Sequence, residues 1–294
     1  MNKDEDMFQL ERYCSLKEFD NAINYLEKMI TSNCSHFEEA LVYLVYLLNE
    51  NQVVTENACR LFQKGVELFK NNYKLQSEFC RHLFMRGFQK RALDLCKQLT
   101  NKFPFSTEVW YILSDFYSEI GDYENAIEAI NYAITCSQDD DCGGISYELL
   151  FLKALLLYKN GSYHPAIHCF TELMSYKEYD KVIVDHFIAE CYMLLNDYES
   201  AYQYLNGIIA LKDKDDEVVF YGNFIWCCLK TNRQVVAADL LSEALKKNLN
   251  TILEHLTILN MVFNSQPETD IGIERIVNPN DLAKLYFTNQ AYFN

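Results

Sequence analysis

The stretch from Thr107 to Ala133 reads TEVWYILSDFYSEIGDYENAIEAINYA, and its spacing decides the fold. Trp110, Leu113 and Tyr117 recur at three- and four-residue steps, and Ala126, Ile130 and Ala133 do so again beyond Gly121-Asp122. Steps of that size place apolar side chains on one helix face, so the stretch predicts two amphipathic helices separated at a C-terminal glycine. The unit before it ends in Phe103-Pro104, where the proline stops a helix. The phrase GDYENA, ending at Ala126, has six relatives: KEFDNA at Ala22, VVTENA at Ala58, GFQKRA at Ala92, GSYHPA at Ala166, NDYESA at Ala201 and RQVVA at Ala237. The gaps between these alanines are 36, 34, 34, 40, 35 and 36 residues. A period in this range marks a solenoid of helix pairs in which each unit touches only its neighbours.

Trp110, Leu113, Ser114, Tyr117, Ala126 and Ile130, with Pro104 closing the previous unit, follow the order W-x2-L-small-x2-Y, then A-x3-large apolar, then P. This resembles the tetratricopeptide repeat. Phe79, Cys80, Leu83, Gly87, Ala92 and Cys96 match in the unit before. Ala154, Leu157, Gly161, Ala166 and Phe170 match further on, followed by Ile188, Ala189, Tyr192, Ala201 and Leu205. The resemblance covers roughly residues 5 to 250 and departs in the first, second and seventh units, where Tyr46 and Ile225 stand at places usually held by small residues. It implies an all-α fold, a right-handed α-α superhelix of about seven helix-turn-helix units. Residues 1–250 form the solenoid, and 251–294 form an irregular C-terminal helical cap. LYFTNQAYFN, near the end, either packs back on the last unit or carries a partner-binding or dimer surface.

The chain has 294 residues and a formal net charge of -16, and half of its residues are hydrophobic. A nucleic-acid partner needs a basic stripe and an anionic membrane needs positive charge, so neither is expected. The acidic excess is read as keeping a tyrosine-rich chain in solution. The eleven cysteines include no CxxC. Several fall at helix-packing positions, so they read as small buried hydrophobes in a reducing cytoplasm, without disulfides or zinc. MNKDEDMF has no apolar run of the kind that opens a signal peptide. Val218 to Leu229, the longest apolar stretch, is too short to span a bilayer.

No catalytic constellation emerges. His164, His168 and Glu172 share a helical spacing, but HPAIH lacks the glutamate of HExxH, and ordinary surface histidines are expected. SQDDDCGG, Ser137–Gly144, lacks the spacing of a calcium loop and reads as an edge insertion between units. No cofactor and no metal are expected. What remains is the concave groove that the resemblance implies, lined by first helices. Its residues by the family register are Tyr43, Arg81, Phe84, Tyr111, Asp115, Phe151, Tyr158, His186, Glu190 and Trp226. Aromatic side chains open to such a groove favour a protein segment with apolar side chains, and each of them either faces the groove or packs inside the solenoid. The family's lysine-asparagine clamp for a C-terminal carboxylate is missing, because Ser77, Tyr111, Phe151 and His186 stand at the lysine place and Arg81, Asp115, Leu155 and Glu190 at the asparagine place. The expected role is a non-catalytic cytoplasmic scaffold or adaptor for a protein or peptide partner. A regulatory sensor of a peptide or small molecule is the alternative, and an enzyme with an edge site is the third reading.

Overall fold

A computed structural model describes residues 3–31, 36–138, 147–177, 180–208 and 217–246, together with Ile252 and Leu256. Among these residues the structure is all helical and follows the repeat phrase. The pairs are α1 (Lys3–Ser15) with α2 (Phe19–Thr31), α3 (Phe37–Glu50) with α4 (Glu56–Leu68), α5 (Tyr73–Met85) with α6 (Gln89–Lys102), and α7 (Thr107–Glu119) with α8 (Tyr123–Gln138). The later helices are α9 (Tyr147–Lys159), α10 (Tyr163–Leu173), α11 (Lys181–Leu194), α12 (Tyr198–Ile208), α13 (Glu217–Lys230) and α14 (Gln234–Lys246). The chain divides into two compact units, residues 1–156 and 157–294, within α9. The expected cap at 251–294 and the SQDDDCGG aspartates lie outside the described residues, apart from Ile252 and Leu256, which are buried.

The repeat phrase is a turn followed by a contact. Each of the seven alanines lies near the start of a second helix and is fully buried. Ahead of each stands one residue with left-handed backbone: Lys17, Gln52, Gly87, Gly121, Gly161, Asn196 or Asn232, with φ between 54° and 85°. The hydrogen bonds around them repeat. Gly121 N donates to Ser118 O at 3.0 Å, and Asp122 N donates to Tyr117 O at 2.9 Å. Gly87 with Phe88 and Lys17 with Glu18 do the same three and five residues back. This pair of bonds closes the helix by satisfying carbonyls that would otherwise be orphaned. The next side chain then caps the second helix, as where Asp122 Oδ1 accepts from Asn125 N at 3.3 Å and Asp197 Oδ1 from Ser200 N at 3.1 Å.

Small residues let the paired helices approach. Ser114 is fully buried, and its hydroxyl donates to the carbonyl of Ala126 at 2.8 Å, tying α7 directly to α8. Cys80, Ala154 and Ala189 occupy the same place and are buried. The second pair departs from this register. Its alanine, Ala58, follows the left-handed Gln52 by six positions where the others follow by five, so the contact position moves back to Val45, which is fully buried. Tyr46, expected at that contact, is 47 % exposed. In the seventh pair Ile225 does occupy the contact and is fully buried.

In the first unit the core runs through Leu10, Leu26, Leu44, Phe62, Phe79 and Phe116, with Trp110 stacked on Tyr132 and donating to Pro104 O at 2.8 Å. In the second unit Phe220, Phe224, Trp226 and Leu241 form the core. The nine described cysteines are free thiols, all but Cys14 buried, and burial pushes the thiols of Cys80, Cys191 and Cys228 up to about 12. Among the described residues no group of three metal-ligand side chains forms, and His164, His168 and Glu172 are all exposed. No described helix is long and apolar enough to cross a membrane.

The left-handed turn carries a direct test. A side chain at positive φ costs about 1 kcal/mol that glycine avoids. Lys17→Gly is therefore expected to raise unfolding free energy by about that amount, and Gly121→Ala to lower it by a similar amount. Urea titration followed by circular dichroism reads both; a destabilised Lys17→Gly variant would contradict the turn geometry.

Candidate functional site

A groove of the first unit opens on its first helices and encloses about 1100 Å³. Its aromatic wall is Tyr43 and Tyr46 on α3 and Tyr111 on α7, extended by Met7 and Val42. Its charged rim is Glu38, Glu39, Lys74, Glu78, Arg81 and Glu108, with His36 and Asn72 beside them. Three sequence-expected residues, Tyr43, Arg81 and Tyr111, are thus brought together. Val42 and Tyr46 were missed because the longer α3–α4 turn rotates the register by one residue. The missing glycine in VVTENA and the extra residue before its alanine carry that signal in the sequence.

One end of the groove is fixed by a buried carboxylate. Asp6 on α1 accepts from Tyr25 of α2 at 2.6 Å and lies 2.8 Å from His36 Nε2 at the entry to α3. Burial alone would raise the Asp6 pKa, but the hydrogen bonds from Tyr25 and His36 outweigh it and hold the group below its ordinary range. Deeper in, Glu78 is 4 % exposed and accepts from Asn49 Nδ2 at 2.6 Å, while Arg81 Nε stands 3.7 Å away. Burial pushes the Glu78 pKa up against the pull of Arg81 and Asn49. Glu108 is raised as well, first by burial and then by the charge of Glu78, with Lys74 and Arg81 opposing. The groove floor therefore holds two carboxylates that burial disfavours as anions, beside aromatic surface.

The remaining expected residues are placed as follows. Phe84 is half-buried and stacked on Phe116 with ring centroids 4.4 Å apart, and Phe151 stacks on Tyr147 at 6.0 Å. Asp115 is half-buried on α7 and does not line this groove. In the second unit Tyr158, His186 and Glu190 meet in one polar cluster. Tyr158 donates to Glu190 Oε2 at 3.2 Å, Asn223 Nδ2 donates to Glu190 Oε1 at 3.1 Å, and His186 Nε2 lies 3.2 Å from the same Asn223 nitrogen. Asn223, which ties the cluster to α13, was not foreseen. Burial and the neighbouring Glu190 push the Tyr158 phenol upward. Trp226 is a correction: it is fully buried in the second-unit core and offers no surface to a ligand. Both faces of α13 are buried, so its register alone did not reveal the direction of this side chain.

A family model described as ChAPs (Chs5p-Arf1p-binding proteins) matches residues 9–141. No curated protein matches the chain. Among solved structures it is similar to the apo form of RapI, at 15% identity and TM-score 0.64, covering 98% of this chain and 86% of that one. It is also similar to a tetratricopeptide repeat protein from Parabacteroides merdae, at 15% identity and TM-score 0.54, covering 87% of this chain and 97% of that one. PilF of Pseudomonas aeruginosa matches at 14% identity and TM-score 0.51, covering 71% and 90%. These likenesses concern the fold, and with the helix pairs of the described residues they show an all-α, tetratricopeptide-type repeat fold.

The raised carboxylates carry a pH prediction. A glutamate whose folded pKa lies above its ordinary value of 4.5 binds more protons folded than unfolded, so its unfavourable effect is absent at low pH and grows as pH rises through the folded pKa. Glu108→Gln is therefore expected to raise the melting temperature at pH 7 to 8, with the gain over the parent shrinking toward pH 4. Parallel thermal melts across that range read it, and a gain that grows on acidification would contradict the assignment.

Proposed function

We propose that this chain is a non-catalytic scaffold of the cytoplasm that holds a segment of a partner protein in the groove of its first unit. The observation that carries the reading is the groove itself: about 1100 Å³, open, and walled by Tyr43 and Tyr46 of α3 and Tyr111 of α7. Tyr46 is an aromatic on a first helix with 47 % of its surface exposed, and open aromatic area beside polar groups is the composition of a protein contact. Apart from Met7, the groove's lining lies within the stretch that resembles a family named for binding Chs5p and Arf1p, which supports protein binding by that stretch. Glu78, Arg81 and Glu108 then orient the segment through its polar groups. In the second unit, Tyr158, His186 and Glu190 offer a second polar contact; in the first, Phe84, Asp115 and Phe151 are supporting residues. Trp226 is left out because it is buried.

Peptides selected from a random twelve-residue library on the whole chain test this. A contact aromatic of this type contributes about 2 kcal/mol, which is roughly a thirtyfold change in affinity. Tyr46→Ala with Tyr111→Ala is expected to weaken the selected peptides by at least about tenfold while helix content is retained. Selected peptides that bind the double variant as tightly as the parent would rule the groove out.

A further inference from the structure

The net charge of -16 conceals a local inversion. From Arg60 to Lys102 there are ten Lys and Arg residues against Glu67, Glu78 and Asp94, a net +7, which leaves -23 for the rest of the chain. The band that follows is the opposite: residues 103–156 contain Lys153 as their one basic residue and ten acidic ones. Within the first unit a basic band therefore adjoins an acidic band.

The outward faces of α6 and α8 carry this contrast. They are equivalent second helices of consecutive pairs, and equivalent positions recur on one side of a solenoid. On α6, Lys90, Arg91, Lys97 and Lys102 are exposed, with Asp94 the acidic exception. Lys97 lies over the Tyr117 ring and Lys102 over the Phe103 ring, while Lys90 and Arg91 have no ion-pair partner among the described residues. On α8, Glu124 and Glu128 are exposed, and the helix contains no Lys or Arg. Tyr132, on the same helix, is 47 % exposed.

We propose that this outer face pairs with the same face of a second copy of the chain. A two-fold axis running along and between α6 and α8 sets α6 of one copy on α8 of the other, and the symmetry repeats the contact. Lys90 then stands level with Glu124 of the second copy with Arg91 beside it, while Asp94 stands level with Glu128 and opposes the contact; Tyr132 adds apolar area. The complement of the basic band is thus already present in the chain. A membrane or a nucleic-acid duplex is broader than one helix pair and meets the acidic band beside it, so it fits less well. At physiological ionic strength charge acts over about 8 Å, so the facing helices, not the total charge, set the sign of the contact.

Sedimentation equilibrium of the whole chain tests the proposal. In 50 mM salt the average mass is expected to rise with concentration toward twice the 34.5 kDa of one chain, and to return to it in 500 mM salt. Lys90→Glu is expected to weaken association at least tenfold, as is Glu124→Lys. The two changes together restore the charge match and should restore the dimer. Both sites are exposed, and circular dichroism confirms that each variant is folded. A chain that stays monomeric at low salt, or a double variant that fails to associate, overturns the proposal. So does an α6-dependent affinity for phosphatidylserine vesicles or a single-stranded oligonucleotide in a chain that does not pair.

Discussion

The structure depends on a backbone event repeated seven times: one residue enters the left-handed region and ends the first helix, and a few residues later an alanine without an exposed atom begins the contact of the second. The left-handed residue fixes where the first helix stops. The alanine fixes how closely the second can approach, because a larger side chain overfills a packed junction. Together they set the rotation of every first helix about its axis, and with it the residues that face outward. Chain spacing is thus converted into surface chemistry.

The consequence is clearest in the second pair. One extra residue between Gln52 and Ala58 turns Val45 to the helix contact and Tyr46 to the open groove. The groove gains an aromatic wall from α3, and the carboxylates of Glu78 and Glu108 lie beside it at an electrostatic disadvantage. Groups that burial disfavours are tolerated where they act on something outside the fold. The outer face follows other rules. Second helices place their alanine side inward, so their opposite side is free to vary in charge, and α6 and α8 use that freedom in opposite directions.

The helix pairs were legible because alanine spacing and three-to-four apolar steps report directly on packing, and Cys80, Ser114, Ala154 and Ala189 are all buried. Rotation within a pair was legible where the left-handed residue, glycine or asparagine, stands five before the alanine. Gln52 does the same work without a distinctive side chain, and the register slipped by one there. Trp226 was misplaced for a different reason: from Phe220 to Leu229 α13 is buried throughout and apolar except for Gly222 and Asn223, so no periodicity told inside from outside. Tyr158, His186 and Glu190 were identified separately, but their meeting through Asn223 needs three helices in space. The opposed charge bands were present in the sequence and lost in the chain-wide average.

Thiol reactivity across α3 tests the claim that turn length sets which residues face the groove. Val45→Cys and Tyr46→Cys are made separately in the native chain, and the rate of alkylation under folding conditions is compared with the rate in denaturant. The account predicts that the thiol introduced at position 46 reacts within about tenfold of its unfolded rate, while the one at position 45 is protected to the level of local opening. The reverse order, or equal protection at both positions, would contradict it.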